Sequence, residues 1–578
     1  MAVAIAAETA TLTRDSVARP TWPFALPVGL AAIAVALPAL APGLNDRPAQ
    51  LLVGNLFPGG QELLLALILL ATARGLLLRR RVAYYVVLTL TLLSILDAMG
   101  TRDLGRALIL VPAAVAIVRY RGEFSTVPSR VRIAVRAGLI TYGVAIGYGL
   151  AVMIAERNHI TPGVTASDAG REILSGLSAS GAGPLHFDGS TDRWFEASLG
   201  ILGGGGLLAM LMALLSPAPA PPAGGEKERA EVARLVDADG SDTLAPFLLR
   251  GDKSYVFSSD RRAVIGYRVL FGVAAAGGDP AGDPRSYADA VAEFAALARR
   301  SGWRMAVLAG RADLMDLWAP YGMHSVGIGD EVLLAPSEFG LGGRSMRNVR
   351  QAVRRTHNSG VTTEVVQEGT LSEPDRTELR TLATEAMGGA EERGFSMNMD
   401  GLLTGRHTFP VVVVARDADG AAVGFQRYLP SASGRRLSLD AMRRAPGSPN
   451  GLNERMIADI MEYAAEQRID EVSLNFAAFR ELFETEDRGA LEQGSYHLIH
   501  LLDRFIKVES LYLFNRKFKP RYVPRSVMFP SWASILPIAL ALLVLEFGHR
   551  DAVVGDARLS PQPAADDVLQ GLPTYPGW

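Results

Sequence analysis

Cysteine is absent from the 578 residues of the sequence. Its absence excludes a disulfide framework, a thiolate nucleophile and a zinc site built on cysteine ligands. The chain also has no large excess of either charge. It contains 58 Lys and Arg residues and 60 Asp and Glu residues, which give a formal net charge of -2. The net charge therefore indicates no class of partner, and local clusters of charge have to carry that argument.

Apolar residues are distributed unevenly along the chain. They form 49% of the sequence and concentrate before Pro217, whereas Arg, Asp and Glu dominate after it. Domains of roughly 100–200 residues leave room for several in a chain of this length. The contrast is typical of a membrane-spanning half joined to a soluble half.

The first half contains six apolar segments, and crossing a bilayer takes roughly 17–25 apolar residues. We predict a six-helix transmembrane domain over residues 24–215, preceded by a disordered cytoplasmic lead at 1–23. A cleaved secretory signal is the alternative interpretation of the first segment. The predicted spans are 24–41, 61–78, 82–98, 104–118, 133–155 and 198–215.

Arginines in two loops predict the orientation of these spans. Arg79, Arg80 and Arg81 lie between the second and third spans, and five further arginines lie between the fourth and fifth. Lys and Arg near the ends of spans resist translocation. Both loops are cytoplasmic if the N-terminus is inside, and six spans then return the chain to the cytoplasm at Ser216.

Small residues in the fifth span suggest close helix packing. Gly143 and Gly147 form a G-x-x-x-G pattern, which permits two helices to approach closely. We expect this pattern to support a homo-oligomer through the transmembrane domain, and the ordinary frequency of glycine in membrane helices is the alternative. Charged residues are missing from the middle of the spans, which argues against an ion pathway.

A Pro-rich stretch at 216–225 predicts a stiff linker between the two halves. Strands and helices alternate after it, as in an α/β or α+β domain. We predict a first lobe at 226–338, a second, catalytic lobe at 339–548 and a disordered tail at 549–578. Within the first lobe we expect one strand over Ala263–Val273, followed by a helix over Tyr287–Ser301.

Four arginines form a stripe at the start of the second lobe. Arg347, Arg350 and Arg354 are three or four residues apart, hence on one helical face, and Arg344 lies at the helix start. Acidic residues at i±4 are absent, so the pattern favours a phosphate-bearing ligand. A plain solvated face is the alternative.

A second basic stretch lies near the end of the soluble half. Residues 502–525 interleave aromatic and basic side chains, which fits a nucleic-acid backbone or an anionic membrane surface. We expect Lys517, Lys519 and Arg521 to point outward while the aromatic residues pack inside. The apolar segment Ile535–Leu545 that follows is predicted to be a buried or interfacial helix, with a seventh span as the alternative.

A candidate active-site floor lies between these two basic regions. One predicted strand ends in Asp440 and Arg443, a Gly/Pro turn and a helix follow, and the next strand ends in Asn475. The order helix, hairpin, strand, helix, strand resembles the GNAT acyltransferase fold. The glycine-rich loop that holds the pyrophosphate of coenzyme A in that fold is not found before the helix, so coenzyme A is a poor candidate donor and we expect no cofactor.

Several motifs together resemble the bacterial phosphatidylglycerol aminoacyltransferases, the lysylphosphatidylglycerol synthase or multiple-peptide-resistance-factor family. The resemblance covers about residues 226–530. The motifs are Gly251-Asp-Lys-Ser-Tyr-Val-Phe257, Gly278-Asp-Pro280, Phe339 to Gly360, Glu392-Arg-Gly-Phe-Ser396, Asp440-Ala-Met-Arg443 and Ser510-Leu-Tyr-Leu-Phe-Asn-Arg-Lys-Phe-Lys-Pro520.

The resemblance implies two tandem GNAT-like lobes on the cytoplasmic side of a multi-pass protein of the bacterial inner membrane. Members of the family move an aminoacyl group from aminoacyl-tRNA to a hydroxyl of phosphatidylglycerol. Full-length members carry a larger membrane region with a flippase, which six spans do not match. The expected partners are therefore aminoacyl-tRNA, with lysyl as the first choice of group, and phosphatidylglycerol in the inner leaflet.

The resemblance also implies roles for charged residues. Arg443 and Lys517 are expected to bind phosphate or stabilise the developing oxyanion. Asp440 and Glu392 are expected to hold an amine of the donor. The stripe Arg344, Arg347, Arg350 and Arg354, together with Lys519 and Arg521, is expected to bind tRNA phosphates.

Two polar residues are expected to orient the reacting groups, and these are Ser396 and Asn475. A Ser/His/Asp arrangement is missing, which argues against a covalent acyl-enzyme. His497 and His500 lack a third ligand, so we expect no metal. For Asp440 the alternative is a salt bridge to Arg443 or Arg444 that only holds the turn.

Two rival functions remain open at the level of sequence. The first is a coenzyme A-dependent N-acyltransferase that acts at the membrane. The second is a lipid flippase or transporter with a regulatory cytoplasmic domain. Against the second stand the small number of spans and the lack of polar groups inside them.

Overall fold

A computed structural model of the chain describes residues 21–40, 62–124, 126, 128–161, 164–178, 183–187, 191–238, 241–388, 395–478 and 513–547. The chain divides into two compact units. The first comprises Met1–Pro219 with Ala298–Trp303, and the second comprises Ala220–Leu297 with Arg304–Trp578.

The first unit is helical, and a helix lies at each of the six predicted spans. Three helices are long and apolar enough to cross a membrane, at Arg81–Gly100, Val131–Ala155 and Trp194–Leu215, whereas the apolar stretches Trp22–Ala36 and Leu63–Leu77 are shorter. The helices are α1 Trp22–Leu40, α2 Glu62–Leu77, α3 Arg81–Gly100, α4 Leu104–Arg119, α5 Val131–Ala155, α6 Ala166–Ser178 and α7 Thr191–Leu215, with two short strands, β1 Ile160–Thr161 and β2 His186–Phe187.

The two arginine-rich loops of this unit lie together. Arg79 forms an ion pair of 2.7 Å with Glu123. The amide of Arg81 donates to the carbonyl of Thr126 at 3.1 Å, and the amide of Thr126 donates to the carbonyl of Arg79 at 3.3 Å. The α2–α3 and α4–α5 connections are therefore at the same end of the helices, which agrees with the charge pattern.

The second unit is built on one sheet of twelve strands. Its strands are β3 Ser254–Phe257, β4 Ala263–Leu270, β5 Val273–Gly277, β6 Ala281–Gly282, β7 Arg304–Arg311, β8 His324–Leu334, β9 Thr362–Gln367, β10 Val411–Arg416, β11 Ala422–Ser431, β12 Arg436–Arg444, β13 Glu471–Ala478 and β14 Arg521–Phe529. Its helices are α8 Glu226–Val236, α9 Tyr287–Ser301, α10 Arg347–Asn358, α11 Glu373–Ala386, α12 Leu452–Glu466 and α13 Ile535–Phe547. The end of α9, from Ala298, is counted with the first unit.

The sheet contains the same pattern twice, which confirms the predicted pair of GNAT-like lobes. In the first lobe β3, β4 and β5 are antiparallel, and the crossover through α9 places β7 parallel to β5. In the second lobe β9 to β12 are antiparallel, and the crossover through α12 places β13 parallel to β12. β8 pairs with β13 and joins the lobes, while β14 lies between β7 and β8.

The single strand expected over Ala263–Val273 is wrong. The structure has two antiparallel strands there, β4 and β5, connected by Phe271 and Gly272. These two residues have φ values of 50° and 74°, the left-handed backbone that a two-residue hairpin of type I′ requires. The pair Phe-Gly lacks the Asn or Asp that usually signals such a turn. The apolar residues on both sides of it therefore predicted one continuous strand.

The segment at 535–545 forms α13, which packs against the sheet of the second unit. Ile538, Ala541, Leu542 and Leu545 are buried in one core with residues of β5 and β7. Thirteen residues at 1.5 Å each extend about 20 Å, less than the roughly 30 Å of a hydrocarbon core. Because one face is fixed on the sheet, the predicted buried or interfacial helix describes α13 better than a seventh span does.

Candidate active site

A short segment of the second lobe, Phe395–Asp400, is held by residues from three elements, and we call it the 395–400 segment. At its first end the carboxylate of Glu546, from α13, accepts hydrogen bonds from the amides of Phe395 and Ser396 at 3.1 and 3.2 Å. The same oxygen accepts from the Ser396 hydroxyl at 3.3 Å. Ser396 is buried, so its hydroxyl is fixed in position rather than mobile in solvent.

Asn475 holds the middle of the 395–400 segment at the point where β12 and β13 part. Their parallel pairing ends at Ser438 and Ser473. Two residues of β13 then bulge out of register, and Asn475 has φ 69°. Its amide nitrogen donates to the carbonyls of Leu439 at 2.9 Å and Met397 at 3.2 Å. The side chain therefore bridges the gap between the strands.

The orientation of this amide leaves one polar atom available. Two carbonyl oxygens can only accept hydrogen bonds, so the group that faces them is the NH2 of Asn475. Its Oδ1 is buried and has no hydrogen-bond partner among the described residues. A buried acceptor without a donor lowers the stability of the fold, and a substrate hydroxyl or ammonium group would satisfy it.

Asp440 holds the far part of the segment through a buried ion cluster. One carboxylate oxygen accepts from the amide of Met399 at 2.7 Å, and the other pairs with Arg427 at 2.7 Å. Arg427 also pairs with Glu368 at 2.6 Å, and all three side chains are at most 1% exposed. Burial raises the pKa of Glu368, and Arg427 opposes that rise.

A bulge in β12 explains why Asp440 reaches Arg427. Arg427 pairs with Ala441 and Tyr428 pairs with Leu439, so Asp440 is the extra residue between them. Such a bulge turns a side chain away from its regular alternation. The alternative in which Asp440 forms its salt bridge with Arg443 or Arg444 is wrong, because the ion-pair partner is Arg427.

The corresponding gap in the first lobe is filled by a different group. Ala309 in β7 has φ 64°, close to that of Asn475, and the register of β7 also shifts there. The guanidinium of Arg525 donates to the Ala309 carbonyl at 3.3 Å and pairs with Asp242, Asp279 and Glu331. Burial raises the pKa of Asp279 to about 7, although Arg525 opposes the rise. This ionic cluster closes the first gap, so the candidate site lies in the second lobe.

A buried lysine lies beside the first end of the 395–400 segment. Lys253 has no exposed surface, and its Nζ has no hydrogen-bond partner among the described residues. The Nζ lies 4.8 Å from the centroid of the Phe395 ring, and a Cβ on Gly277 would approach it to 2.6 Å. Burial lowers the pKa of Lys253 to about 7, while Asp252 and Glu546 oppose the shift.

The other predicted catalytic residues lie elsewhere or outside the described part. The Arg443 guanidinium donates to the Met442 carbonyl at 3.0 Å, at the end of β12. Lys517 pairs with Glu454 at 2.9 Å, in the first turn of α12. Glu392 lies outside the described residues, as do His497 and His500. The structure thus brings Asn475 and Asp440 to the 395–400 segment, which contains Ser396. No described group of three His, Asp or Glu residues could hold a metal ion.

The arginine stripe is exposed on α10, opposite its buried face. Arg344, Arg347 and Arg354 are exposed, and Arg350 donates to the carbonyls of Leu341 and Gly343. Within the described part of the chain none of the four forms an ion pair. An open cavity of about 620 Å³ lies beside them, lined by Leu341, Gly342, Gly343, Arg344, Arg347 and Arg350.

The later basic residues are less available for an anion. Lys519 is exposed, but Arg521 pairs with Glu471. The ring of Phe514 is half-buried, as the packing expectation requires, and lies 5.1 Å from the Lys517 ammonium. Among the predicted phosphate-binding residues that the structure describes, those of the α10 stripe are therefore the most available to an anion.

Sequence reasoning missed Arg427, Glu368, Glu546 and Lys253. A signal existed for Arg427, because an arginine stands inside the mostly apolar run Val423–Leu429. Glu546 closes an otherwise apolar helix, which is also unusual. Lys253 lies within the Gly251–Phe257 motif, but its burial follows only from the fold.

Residues 233–529 match the family model described as phosphatidylglycerol lysyltransferase, C-terminal. This range covers slightly more than half of the chain and includes β3 to β14. The chain belongs to this family. The range contains the 395–400 segment, Asn475, Asp440 and the α10 stripe, so every part of the candidate site except Glu546 lies within the phosphatidylglycerol lysyltransferase match.

Two curated relatives of this phosphatidylglycerol lysyltransferase-family chain come from mycobacteria. The MprF-like domain protein Rv1619 of Mycobacterium tuberculosis is 40% identical over 322 residues, which are 55% of this chain and 66% of that protein. The lysylphosphatidylglycerol biosynthesis bifunctional protein LysX of Mycobacterium marinum is 31% identical over 517 residues, which are 84% of this chain and 46% of LysX. The chain thus spans less than two thirds of the length of these relatives.

Two solved structures are similar to more than half of this chain. The C-terminal domain of a putative lysylphosphatidylglycerol synthetase from Agrobacterium fabrum is 23% identical, with a TM-score of 0.49, over 56% of this chain and 99% of that one. L-PGS from Bacillus licheniformis is 22% identical, with a TM-score of 0.47, over 57% of this chain and 98% of that one.

Replacing Asp440 tests the buried ion cluster. We expect Asp440→Ala to lower the free energy of unfolding by about 3–5 kcal/mol, because Arg427 would then be buried with one carboxylate instead of two. Thermal unfolding of the full chain in detergent measures the change. Asp470→Ala is the matched control, since Asp470 pairs with Arg435 on the surface and should cost at most about 1 kcal/mol. Equal losses in the two variants would contradict the structural role.

Replacing Lys253 tests the pH dependence of its burial. The pKa of Lys253 falls from 10.5 to about 7 on folding, so the unfolded chain binds more protons between these values and stability rises with pH there by about 1.4 kcal/mol per unit. Lys253→Met should therefore be more stable than the original chain at pH 7, and the difference should shrink towards pH 10. Unfolding temperatures at both pH values measure this. Lys227→Met, at an exposed lysine, serves as the control, and a pH-independent difference for Lys253→Met would refute the argument.

Proposed function

We propose that this chain transfers an aminoacyl group, lysyl in the first place, from aminoacyl-tRNA to a hydroxyl of phosphatidylglycerol in the inner leaflet of the bacterial cytoplasmic membrane. The observation that carries the proposal is the gap between β12 and β13, which lies inside the family match. There the side chain of Asn475 binds the 395–400 segment, which contains the Ser396 hydroxyl. The names of the relatives, which refer to lysylphosphatidylglycerol, support the choice of product.

The reaction exchanges one ester for another. The oxygen of a glycerol hydroxyl attacks the aminoacyl carbonyl carbon, a tetrahedral intermediate forms, and the ribose oxygen of tRNA leaves with the proton that the hydroxyl gives up. The two esters are similar in free energy, so positioning and charge stabilisation have to supply most of the acceleration. This requirement fits a site made of fixed amide and hydroxyl groups.

Five residues of the second lobe have a proposed role in this exchange. The free Oδ1 of Asn475 accepts a hydrogen bond from the attacking hydroxyl or from the donor ammonium group. Ser396 orients the attacking hydroxyl, because its own hydrogen is donated to Glu546 while its oxygen can still accept a hydrogen bond. Arg443 and Lys517 bind phosphate or stabilise the oxyanion, and Glu392 holds the donor amine.

For Asp440 the contacts favour a positioning role. Both of its carboxylate oxygens are occupied, one by the Met399 amide and the other by Arg427. A carboxylate with both oxygens bonded inside the protein is poorly placed to bind a substrate amine as well. We therefore assign Asp440 to fixing the 395–400 segment.

The turn between β12 and α12 supports tRNA rather than coenzyme A as donor. Two of its residues, Pro446 and Pro449, have no amide hydrogen to offer a pyrophosphate. The amides of Ala445, Ser448 and Leu452 already donate to carbonyl oxygens. A phosphate cradle of backbone amides therefore has few donors here, whereas the exposed arginines of α10, with Lys519 and Arg521, offer charge for tRNA phosphates.

The first unit supports delivery of the site to a membrane. Its three long apolar helices are typical of a membrane protein. We propose an N-terminus inside, six spans and a cytoplasmic second unit, because the arginine-rich loops lie at one end of the helices. Gly143 and Gly147 have open space at the position of a side chain, so a second copy could pack there.

A reconstituted assay tests the proposed reaction. We expect purified chain in phosphatidylglycerol vesicles to move label from lysyl-tRNA into a lipid, because both substrates can reach the second unit. Mass spectrometry of the extracted lipid identifies the product. Alanyl-tRNA and acetyl-coenzyme A are offered in parallel, and RNase treatment should abolish the transfer. Product that forms from acetyl-coenzyme A and resists RNase would contradict the proposal.

The arginine stripe can be tested by the salt dependence of tRNA binding. Arg347→Ala should weaken binding of tRNA to the full chain and should reduce the slope of log affinity against log salt by roughly 1, because one phosphate contact is lost. Arg355→Ala is the matched control, since Arg355 is exposed on the same helix but lies outside the stripe. Equal effects of the two substitutions would mean that the stripe is an ordinary solvated face.

A further inference from the structure

Exposed apolar side chains in the second unit are concentrated at one place. In the described part of this unit six large hydrophobic residues are exposed, and four of them lie within nine residues of each other, at the start of α13 and just before it. Leu536 is 77% exposed, Leu540 55%, Trp532 54% and Ile535 37%. Soluble proteins rarely expose a cluster of large apolar side chains unless it binds a ligand, a membrane or another protein.

These four residues form one face of α13 and of the turn that leads into it. Trp532, Leu536 and Leu540 are four residues apart, so they lie on the same side of a helix. The opposite side is buried against β5 and β7 through Ile538, Ala541 and Leu542. The sequence contains no charged residue between Trp532 and Leu545. α13 is thus apolar on both sides, unlike the surface helix of a soluble protein, which is polar on its outer side.

The chemistry of this face fits a lipid bilayer. The helix is too short to cross the hydrocarbon region, and one side is fixed on the sheet, so it can only lie along the surface with its outer side in the acyl-chain boundary. Tryptophan is enriched at this boundary because its ring is apolar and its N–H is polar. The same chain contains helices long enough to span a membrane, so a bilayer is always within its reach.

We infer that the outer face of α13, formed by Trp532, Ile535, Leu536 and Leu540, inserts into the lipid surface and brings the lipid substrate to the second unit. The lipid substrate itself rests on the proposed function. The last turn of α13 carries Glu546, whose carboxylate binds the amides of Phe395 and Ser396. The helix that contacts lipid therefore also holds one end of the 395–400 segment, so the acceptor lipid meets the protein beside the candidate site.

The absence of cysteine from the sequence permits a direct test with single-cysteine labels. Leu536→Cys and Leu540→Cys in the full chain are labelled with bimane and reconstituted into nanodiscs of phosphatidylglycerol and phosphatidylethanolamine. Lipids with a doxyl group on the acyl chain should quench these labels at least about twofold more than iodide does, because the face lies in the acyl-chain boundary. Glu462→Cys, at an exposed position of α12, is the control and should be quenched by iodide instead.

Two outcomes would overturn the inference. If iodide quenches the α13 labels as strongly as the Glu462→Cys label, the face is in water. If neither quencher reaches them, another protein surface covers the face, either a second copy of the chain or another segment of the same chain. Neither result depends on whether the chain transfers an aminoacyl group.

An activity measurement separates this inference from the proposed function. Leu536→Glu combined with Leu540→Glu should reduce transfer to phosphatidylglycerol in vesicles by about tenfold and leave transfer to a short-chain phosphatidylglycerol in detergent unchanged, because only the first needs insertion. Equal transfer by variant and original chain in vesicles, or equal loss in vesicles and detergent, would overturn the lipid-delivery role. Absence of transfer in the original chain would instead refute the proposed function, while the label results would still decide whether α13 meets lipid.

Discussion

A guanidinium buried between two carboxylates determines the geometry of the candidate site. Arg427, Asp440 and Glu368 are withdrawn from water, and removing a charge from water costs several kcal/mol unless its partners are well placed. The three residues come from three separate parts of the second lobe, which must therefore meet correctly. Asp440 also accepts a hydrogen bond from the Met399 amide. The position of the 395–400 segment therefore depends on an ion cluster that need not contact substrate itself.

The two lobes show how one fold can retain or lose an opening. Both contain a parallel strand pair with a residue of positive φ just beyond it, Ala309 in one and Asn475 in the other. In the first lobe Arg525 and its carboxylates fill the gap, whereas in the second the bridge is a single carboxamide with an unsatisfied oxygen. The gap of the first lobe is therefore closed by ion pairs, whereas the second retains a buried acceptor, Asn475 Oδ1, without a partner among the described residues.

Sequence patterns predicted the features of the fold that depend on residues close together in the chain. The helix over Tyr287–Ser301 has the expected bounds, because its apolar spacing and its flanking turns are local signals. The partner of Asp440 was not predictable, since it depends on a bulge in β12 and on a strand thirteen residues away. The burial of Lys253 was missed for a similar reason, because it requires Gly277 and Phe395 to meet it from distant segments.

The position of β14 has a consequence for the folding of the chain during its synthesis. This strand, Arg521–Phe529, completes the sheet between β7 and β8, although β8 ends at Leu334. At a synthesis rate of about 5–20 residues per second, the ribosome needs on the order of ten seconds or more to make the chain between them. During that interval β7 and β8 present open edges, which are prone to pairing with other chains. The facing edges of β7 and β8 therefore stay unpaired until the ribosome has made β14.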